Sequence, residues 1–329
     1  MKKERYYVYC KNVLGIKTNV SNFRWVYGSV APLASECEYS NCDVKIELNI
    51  IPESKLPIIS DYDKKFQSYL WSDITETLSC RRKIFGKINI GYDIVVKDNF
   101  ITVNMGSNYY KLVKKRVMNL HDCYYLLSDV ANIVLSSYGY LTLYASAVYL
   151  PKQRRGIVCF APPNTGKTLT ATQLCDKHGY ELIGEDVVLI RDGEILSCPY
   201  TSSYRNKNAF LDSSGAFSRV LKKDGIDNVR HRAKITDIAL LVNGNDSQTS
   251  NEEIYRSISI LNGYLFNYNS SPIVKIMGYF NSVYDVSWDE RAKALLKQLV
   301  ESNKCHVVYS KRPMEFAEKI HAIVEEVSH

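Results

Sequence analysis

An eight-residue loop, Ala161-Pro-Pro-Asn-Thr-Gly-Lys-Thr168, does most to restrict what this 329-residue chain can fold into. An apolar run, Gly156-Ile-Val-Cys-Phe160, precedes it, and an amphipathic segment from Leu169 to His178 follows. That order predicts a strand, a phosphate-cradling loop and a helix. The loop fits the relaxed Walker A pattern, in which Ala or Gly opens, four residues follow and Gly-Lys-Ser/Thr closes. Here an alanine stands where the opening glycine is usual. Backbone N–H groups of such a loop, with the positive end of the helix after it, can surround a polyphosphate. The pattern assigns Ala161, Pro162, Pro163, Asn164, Thr165, Gly166, Lys167, Thr168 and Leu169 to nucleotide binding. Lys167 would reach the outer phosphates as a point charge, and the Thr168 hydroxyl would ligate Mg²⁺.

Composition sets the surroundings of that loop. Hydrophobic residues make up 46% and charged residues 23%, the balance of a soluble globular protein. The length allows one large domain or two ordinary ones. A net charge of +7 suits a polyphosphate ligand or an acidic substrate but is too mild to indicate a nucleic-acid binder. The nine cysteines form no C-x-x-C pair, and several fall inside apolar runs, so they read as buried thiols in a reducing compartment. Cys37 and Cys42 lie close together without a nearby histidine, which gives no zinc signature. The first residues, Met1-Lys-Lys-Glu-Arg5, do not form a signal peptide, and no run approaches a membrane span. The expected location is cytoplasmic, with no membrane partner.

Residues 1 to about 115 read as a β-rich domain. Tyr6–Tyr9, Val44–Ile50, Lys87–Ile90, Tyr92–Val96 and Phe100–Asn104 have strand character, with a hairpin turn at Lys97-Asp-Asn99. From Leu120 to Ser137 the apolar period becomes helical. Two strand-like runs follow, Leu141–Leu150 and Gly156–Phe160, joined by the basic break Lys152–Arg155 read as a turn. The catalytic domain is placed at residues 116–329.

Beyond the loop helix, Gly179 reads as its C-cap and Tyr180–Gly184 as a strand. Two acids come next, Glu185 and Asp186, then Val187–Ile190, a turn at Asp192-Gly193 and a returning strand, Glu194–Ser197. A hairpin at this point departs from a simple doubly wound fold, where a crossover helix returns the chain. The expected fold is therefore an α/β P-loop domain with a mixed sheet, preceded by the β-rich domain. Residues 199–234 read as a loop-rich basic segment, Ile235–Val242 as a strand, and Ile254–Asn262 and Trp288–Glu301 as helices. His306–Tyr309 reads as a short strand, after which Pro313 opens a final helix.

A kinase needs a phosphate cradle, a carboxylate on the metal and a base beside the attacking hydroxyl. Gly166, Lys167 and Thr168 supply the cradle, and Glu185 with Asp186 can supply the other two. With these residues the chain resembles the HPr kinase/phosphorylase family, and more closely the HPr-kinase-like proteins of peptide-modifying systems such as the lasso-peptide kinases. The resemblance rests on Leu143–Val148, the loop Ala161–Thr168, Gly179–Asp186 and Val307–Pro313, and covers roughly residues 140 to 325.

The family usually carries two aspartates after the second strand, where this chain has Glu185 and Asp186. The resemblance implies a base at Glu185 and a Mg²⁺ ligand at Asp186, in an order the residues alone leave open. Where the family commonly has a histidine, this chain has Tyr144, whose phenol does not titrate near neutrality. Tyr144 remains a candidate for a hydrogen bond to phosphate or substrate. The segment around Arg230 and Arg232 falls about where the family has a loop approaching nucleotide and acceptor, which makes Arg232 a candidate stabiliser of the transferring phosphoryl group.

The expected activity is an ATP-dependent, Mg²⁺-requiring kinase, with GTP the alternative nucleotide. Its acceptor would be a hydroxyl, first of all serine, on a peptide, protein or small molecule. HPr kinases assemble as hexamers, which makes a homo-oligomer an expectation of the resemblance alone. Two other readings stand beside it: a nucleotide-binding accessory or sensor module without transfer, and a transferase of the phosphoenolpyruvate carboxykinase type.

Overall fold

A computed structural model describes residues 4–20, 23, 33–58, 62–66, 68–73, 75–114, 123–184, 187–197, 230–245, 249–262 and 288–326. It divides the chain into two units, Met1–Ser137 with Asn269–Trp288, and Tyr138–Tyr268 with Asp289–His329. Each contains a mixed sheet with helices. No described helix is long and apolar enough to cross a membrane.

The first unit holds nine described strands: β1 (Arg5–Cys10), β2 (Leu14–Thr18), β3 (Leu33–Ala34), β4 (Val44–Ile51), β5 (Lys64–Phe66), β6 (Tyr69–Ser72), β7 (Thr77–Ile84), β8 (Ile88–Lys97) and β9 (Phe100–Gly106). Their order across the sheet is β3-β1-β2-β4-β9-β8-β7-β6-β5. The β2/β4 and β4/β9 pairs are parallel and the remaining pairs antiparallel. Along β4 burial alternates strictly, with Val44, Ile46, Leu48 and Ile50 inward, as a sheet with one covered face requires. Helices α1 (Glu36–Ser40), α2 (Ser107–Lys114) and α3 (Cys123–Ser137) belong to this unit. Lys87–Ile90 and Tyr92–Val96, expected as separate strands, form the single strand β8. Gly91 joins them, because a Cβ there would meet the Cys80 carbonyl at 2.5 Å. The glycine permits close backbone approach rather than marking a break.

The second unit contains β10 (Leu141–Leu143), β11 (Ser146–Leu150), β12 (Arg155–Phe160), β13 (Glu181–Gly184), β14 (Val188–Arg191), β15 (Glu194–Leu196), β16 (Arg232–Asn243) and β17 (Lys304–Ser310). The order is β10-β14-β15-β16-β12-β11-β13, with β17 also on β16. Helices α4 (Lys167–His178), α5 (Asn251–Asn262), α6 (Trp288–Ser302, all but its first residue in this unit) and α7 (Phe316–Glu326) cover the sheet. On one face Ala147, Val158, Phe160, Ile238 and Leu240 pack with Ile254 and Ile258 of α5 and Leu296 and Leu299 of α6. On the other, Val148, Ile157, Cys159, Ala239 and Leu241 pack with Leu174 of α4 and Phe316 and Ile320 of α7. Helices on both faces explain why β12 is buried along its whole length and, beyond Arg155, reads as an unbroken apolar run.

Three expectations change here. The run Leu141–Leu150 is two strands, broken at Tyr144, with β10 paired to β14 and β11 to β12 and β13. The turn before β12 is the 3₁₀ segment Pro151–Gln153 closed by left-handed Arg154, while Arg155 is a buried strand residue. Arg232 and Lys234, expected in a loop, open β16.

Candidate functional site

Four strands of the second unit end at one edge of its sheet. β12, β16 and β17 are mutually parallel. β13 runs the same way, since it and β12 are both antiparallel to β11. The carboxyl ends Phe160, Gly184, Asn243 and Ser310 therefore share an edge, the place where open α/β sheets bind ligands.

From Phe160 the chain turns through Ala161–Gly166 into α4. The reversal uses two left-handed residues, Asn164 at φ 65° and Gly166 at φ 116°. Asparagine tolerates that region, but Gly166 has a second constraint. A Cβ there would come within 2.9 Å of Pro313 Cβ. Thr165 N–H donates to the Pro162 carbonyl at 3.3 Å and closes the loop. The Gly166 carbonyl accepts from Thr170 N–H at 2.8 Å, the first bond of α4. Ala161 and Thr165 are buried, Pro162, Pro163 and Asn164 are exposed, and Thr168 and Leu169 are half-buried in the first turn of the helix.

The Lys167 side chain folds back into the loop and is only 5% exposed. Its Nζ donates to the Ala161 carbonyl at 2.8 Å and lies 3.5 Å from the Pro162 carbonyl. The Tyr144 ring covers the ammonium, 4.1 Å from Nζ to the ring centroid. A cation on an aromatic face within about 6 Å is attracted by the ring quadrupole. Tyr144 is positioned through its backbone: its N–H donates to Asn262 Oδ1 at 3.0 Å, and Asn262 Nδ2 donates to the Thr142 carbonyl at 3.2 Å. The last residue of α5 thus fixes the break between β10 and β11. Asn262 was not visible as a site residue from sequence, because its partners lie 118 and 120 positions away.

A second element stands against the loop. After β17 the chain turns at Ser310–Arg312 into the 3₁₀ segment Pro313–Glu315. Arg312 N–H donates to Ser310 Oγ at 3.0 Å, Ser310 Oγ donates to Glu315 Oε2 at 2.8 Å, and Glu315 N–H returns to the Arg312 carbonyl at 3.0 Å. Gln173 Nε2 of α4 lies 3.3 Å from Met314 Sδ.

The remaining candidates fall elsewhere. Glu185 and Asp186 lie outside the described residues. The residue before them, Gly184, pairs with Ala147, which on its other side pairs with Val158, so β13 ends within two residues of the level of Phe160. Arg232 is not brought to the loop. Leu240 of β16 is level with Phe160, and Arg232 lies eight residues earlier on the same strand, about 26 Å away. There it pairs with Glu194 at 2.7 Å. Arg230 is also at the far end, 3.7 Å over the Tyr149 ring and 3.1 Å from Glu181. Residues 198–229 of the basic segment lie outside the described residues. Burial pushes the Cys159 thiol up to about 12, so this cysteine ahead of the loop stays protonated at neutral pH.

No family model matches the chain, and no curated protein matches it. Among solved structures it is similar to the HPr(Ser) kinase/phosphatase from Coxiella burnetii, at 20% sequence identity with a TM-score of 0.22. That alignment covers 33% of this chain and 64% of the other, under two thirds of its length. An overlap of that depth establishes neither a shared fold nor a shared activity.

Proposed function

We propose that the second unit is the catalytic part of a cytoplasmic kinase that transfers the terminal phosphoryl group of ATP to a serine-type hydroxyl. The observation that carries this reading is the buried Lys167 ammonium inside the Ala161–Gly166 loop, at the carboxyl edge of three parallel strands. The loop N–H groups and the amino end of α4 bind the phosphates, and Lys167 exchanges its carbonyl partners for phosphate oxygens. Thr168 and Asp186 would hold Mg²⁺, a hard cation suited to hydroxyl and carboxylate oxygens. When bound, Mg²⁺ would neutralise negative charge on the phosphates during transfer. Glu185 accepts the hydroxyl proton as the acceptor oxygen bonds to phosphorus and ADP leaves. The end of β13 at Gly184 supports both acidic assignments.

Tyr144 is a positioning residue in this scheme. Its ring holds Lys167 in place before nucleotide arrives, which limits the side-chain entropy lost on binding. Tyr144→Phe keeps the ring and should bind ATP within about twofold of wild type, whereas Tyr144→Leu should bind about fivefold more weakly. Titration of a fluorescent ATP analogue reads the difference. Equal affinity of both variants to wild type would remove the role.

The tyrosine in place of histidine and the Glu-for-Asp change at position 185 favour a second reading, a nucleotide-binding module without transfer. Incubation with γ-labelled ATP, Mg²⁺ and serine-containing acceptor peptides separates the two. Labelled peptide supports the kinase, binding without any transfer supports the module, and absence of nucleotide binding overturns both.

A further inference from the structure

Strand order sets the two sides of the loop that a bound nucleotide would span. β12 and β17 both pair with Asp237–Leu240 of β16, so they occupy its two opposite edges. β13 lies on the other side of β12, beyond β11. On the kinase reading above, the acids assigned to metal and base follow the end of β13 in sequence, and the γ-phosphate would face that side. The nucleoside end of the same molecule then leaves the loop on the β16–β17 side. What stands there is the Ser310–Met314 turn, with Pro313 in contact with Gly166.

We infer, on the basis of the kinase reading above, that the Ser310–Met314 turn is the nucleobase subsite, with the Arg312 guanidinium and the Met314 thioether holding a purine ring. Both side chains are available for it. Arg312 is 81% exposed and its contact with Glu315, at 3.7 Å, is a loose surface pair. Met314 is 54% exposed, although its sulfur is anchored by Gln173. A planar guanidinium stacks on an aromatic face, and a thioether is polarizable enough to pack against one. The backbone that carries them is fixed in advance by the three hydrogen bonds among Ser310, Arg312 and Glu315. Ordering of the turn therefore adds little to the cost of binding.

The test compares two ligands that share the phosphates and differ in the base. ATP and inorganic tripolyphosphate, each with Mg²⁺, are titrated calorimetrically into the full chain and into an Arg312→Ala/Met314→Ala variant. The expected result is an ATP affinity about tenfold lower in the variant, with tripolyphosphate affinity changed by less than about twofold. An unchanged ATP affinity overturns the subsite. So does an equal loss for both ligands, which would assign Arg312 to the phosphates. A wild-type chain that binds tripolyphosphate as tightly as ATP overturns the subsite alone, and one that binds neither removes the kinase reading together with it.

Discussion

Lys167→Met is expected to lower phosphoryl transfer by about 10²–10³-fold while leaving the fold near wild type. Methionine keeps the length and apolar stem of the side chain but deletes the charge that meets the polyphosphate. Loss of one preorganised donor aimed at developing charge usually costs a rate factor of about that size. The fold is spared for a physical reason. The ammonium is 5% exposed, bonded to the Ala161 carbonyl and covered by the Tyr144 ring, so its removal costs these contacts but also relieves the burial of a charge. The two terms oppose each other, and a net change below about 1 kcal/mol is expected. Single-turnover transfer from labelled ATP measures the first effect and a thermal melt the second. Undiminished transfer by the variant would overturn the kinase assignment.

The parts of this unit that were legible in sequence are those specified by adjacent residues. The strand, loop and helix over residues 156–178 follow from an apolar run, a glycine-lysine step and a helical period. The Asp192-Gly193 turn has both residues at positive φ, 53° and 73°, as the primed hairpin turns require. Gly179 ends α4 at φ 72°. In each case the signal is a backbone preference that acts within a few positions.

Long-range partners left no such signal. Arg155 sits at the end of a basic stretch and looked like turn material, because its carboxylate partner, Asp237, is 82 positions away. Arg232 and Lys234 were assigned to the basic loop by their charge, yet β16 starts there and its first residues remain exposed at the sheet margin. The resemblance makes Arg232 a site candidate, whereas strand direction carries it to the opposite end of β16. Tyr144 was legible as a position of interest, but its ring contact with Lys167 depends on an asparagine in α5 that no local pattern connects to it.

The buried Arg155–Asp237 ion pair should dominate the stability of the second unit. Asp237 is fully buried and accepts from Arg155 Nε at 2.9 Å and Nη2 at 2.5 Å, and from Thr236 Oγ1 at 2.6 Å. His306 Nε2 lies 2.9 Å from the same carboxylate. Arg155 Nη1 also donates to the Val324 carbonyl of α7 at 2.8 Å, which ties that helix to the sheet. Asp237→Ala is expected to destabilise the unit by about 3–5 kcal/mol, since it leaves the guanidinium buried without its counter-charge. Arg155→Met with Asp237→Leu removes both charges and should recover most of that loss. Acid provides an independent check. Burial alone would raise the Asp237 pKa, but the hydrogen bonds from His306, Arg155 and Thr236 outweigh it and hold the carboxyl at about 2, below its ordinary 3.8. A depressed pKa stabilises the fold above the unfolded value, so about 2 kcal/mol should be present at pH 5 and lost between about pH 4 and pH 2. Hydrogen exchange of the β12 and β16 amides should show that loss in wild type and not in the doubly substituted protein. Asp237 is level with Ile157, three residues before the loop end of β12. ATP affinity measured well below the melting temperature should therefore stay near wild type in the doubly substituted protein, and a large loss of affinity there would show that this pair also shapes the loop.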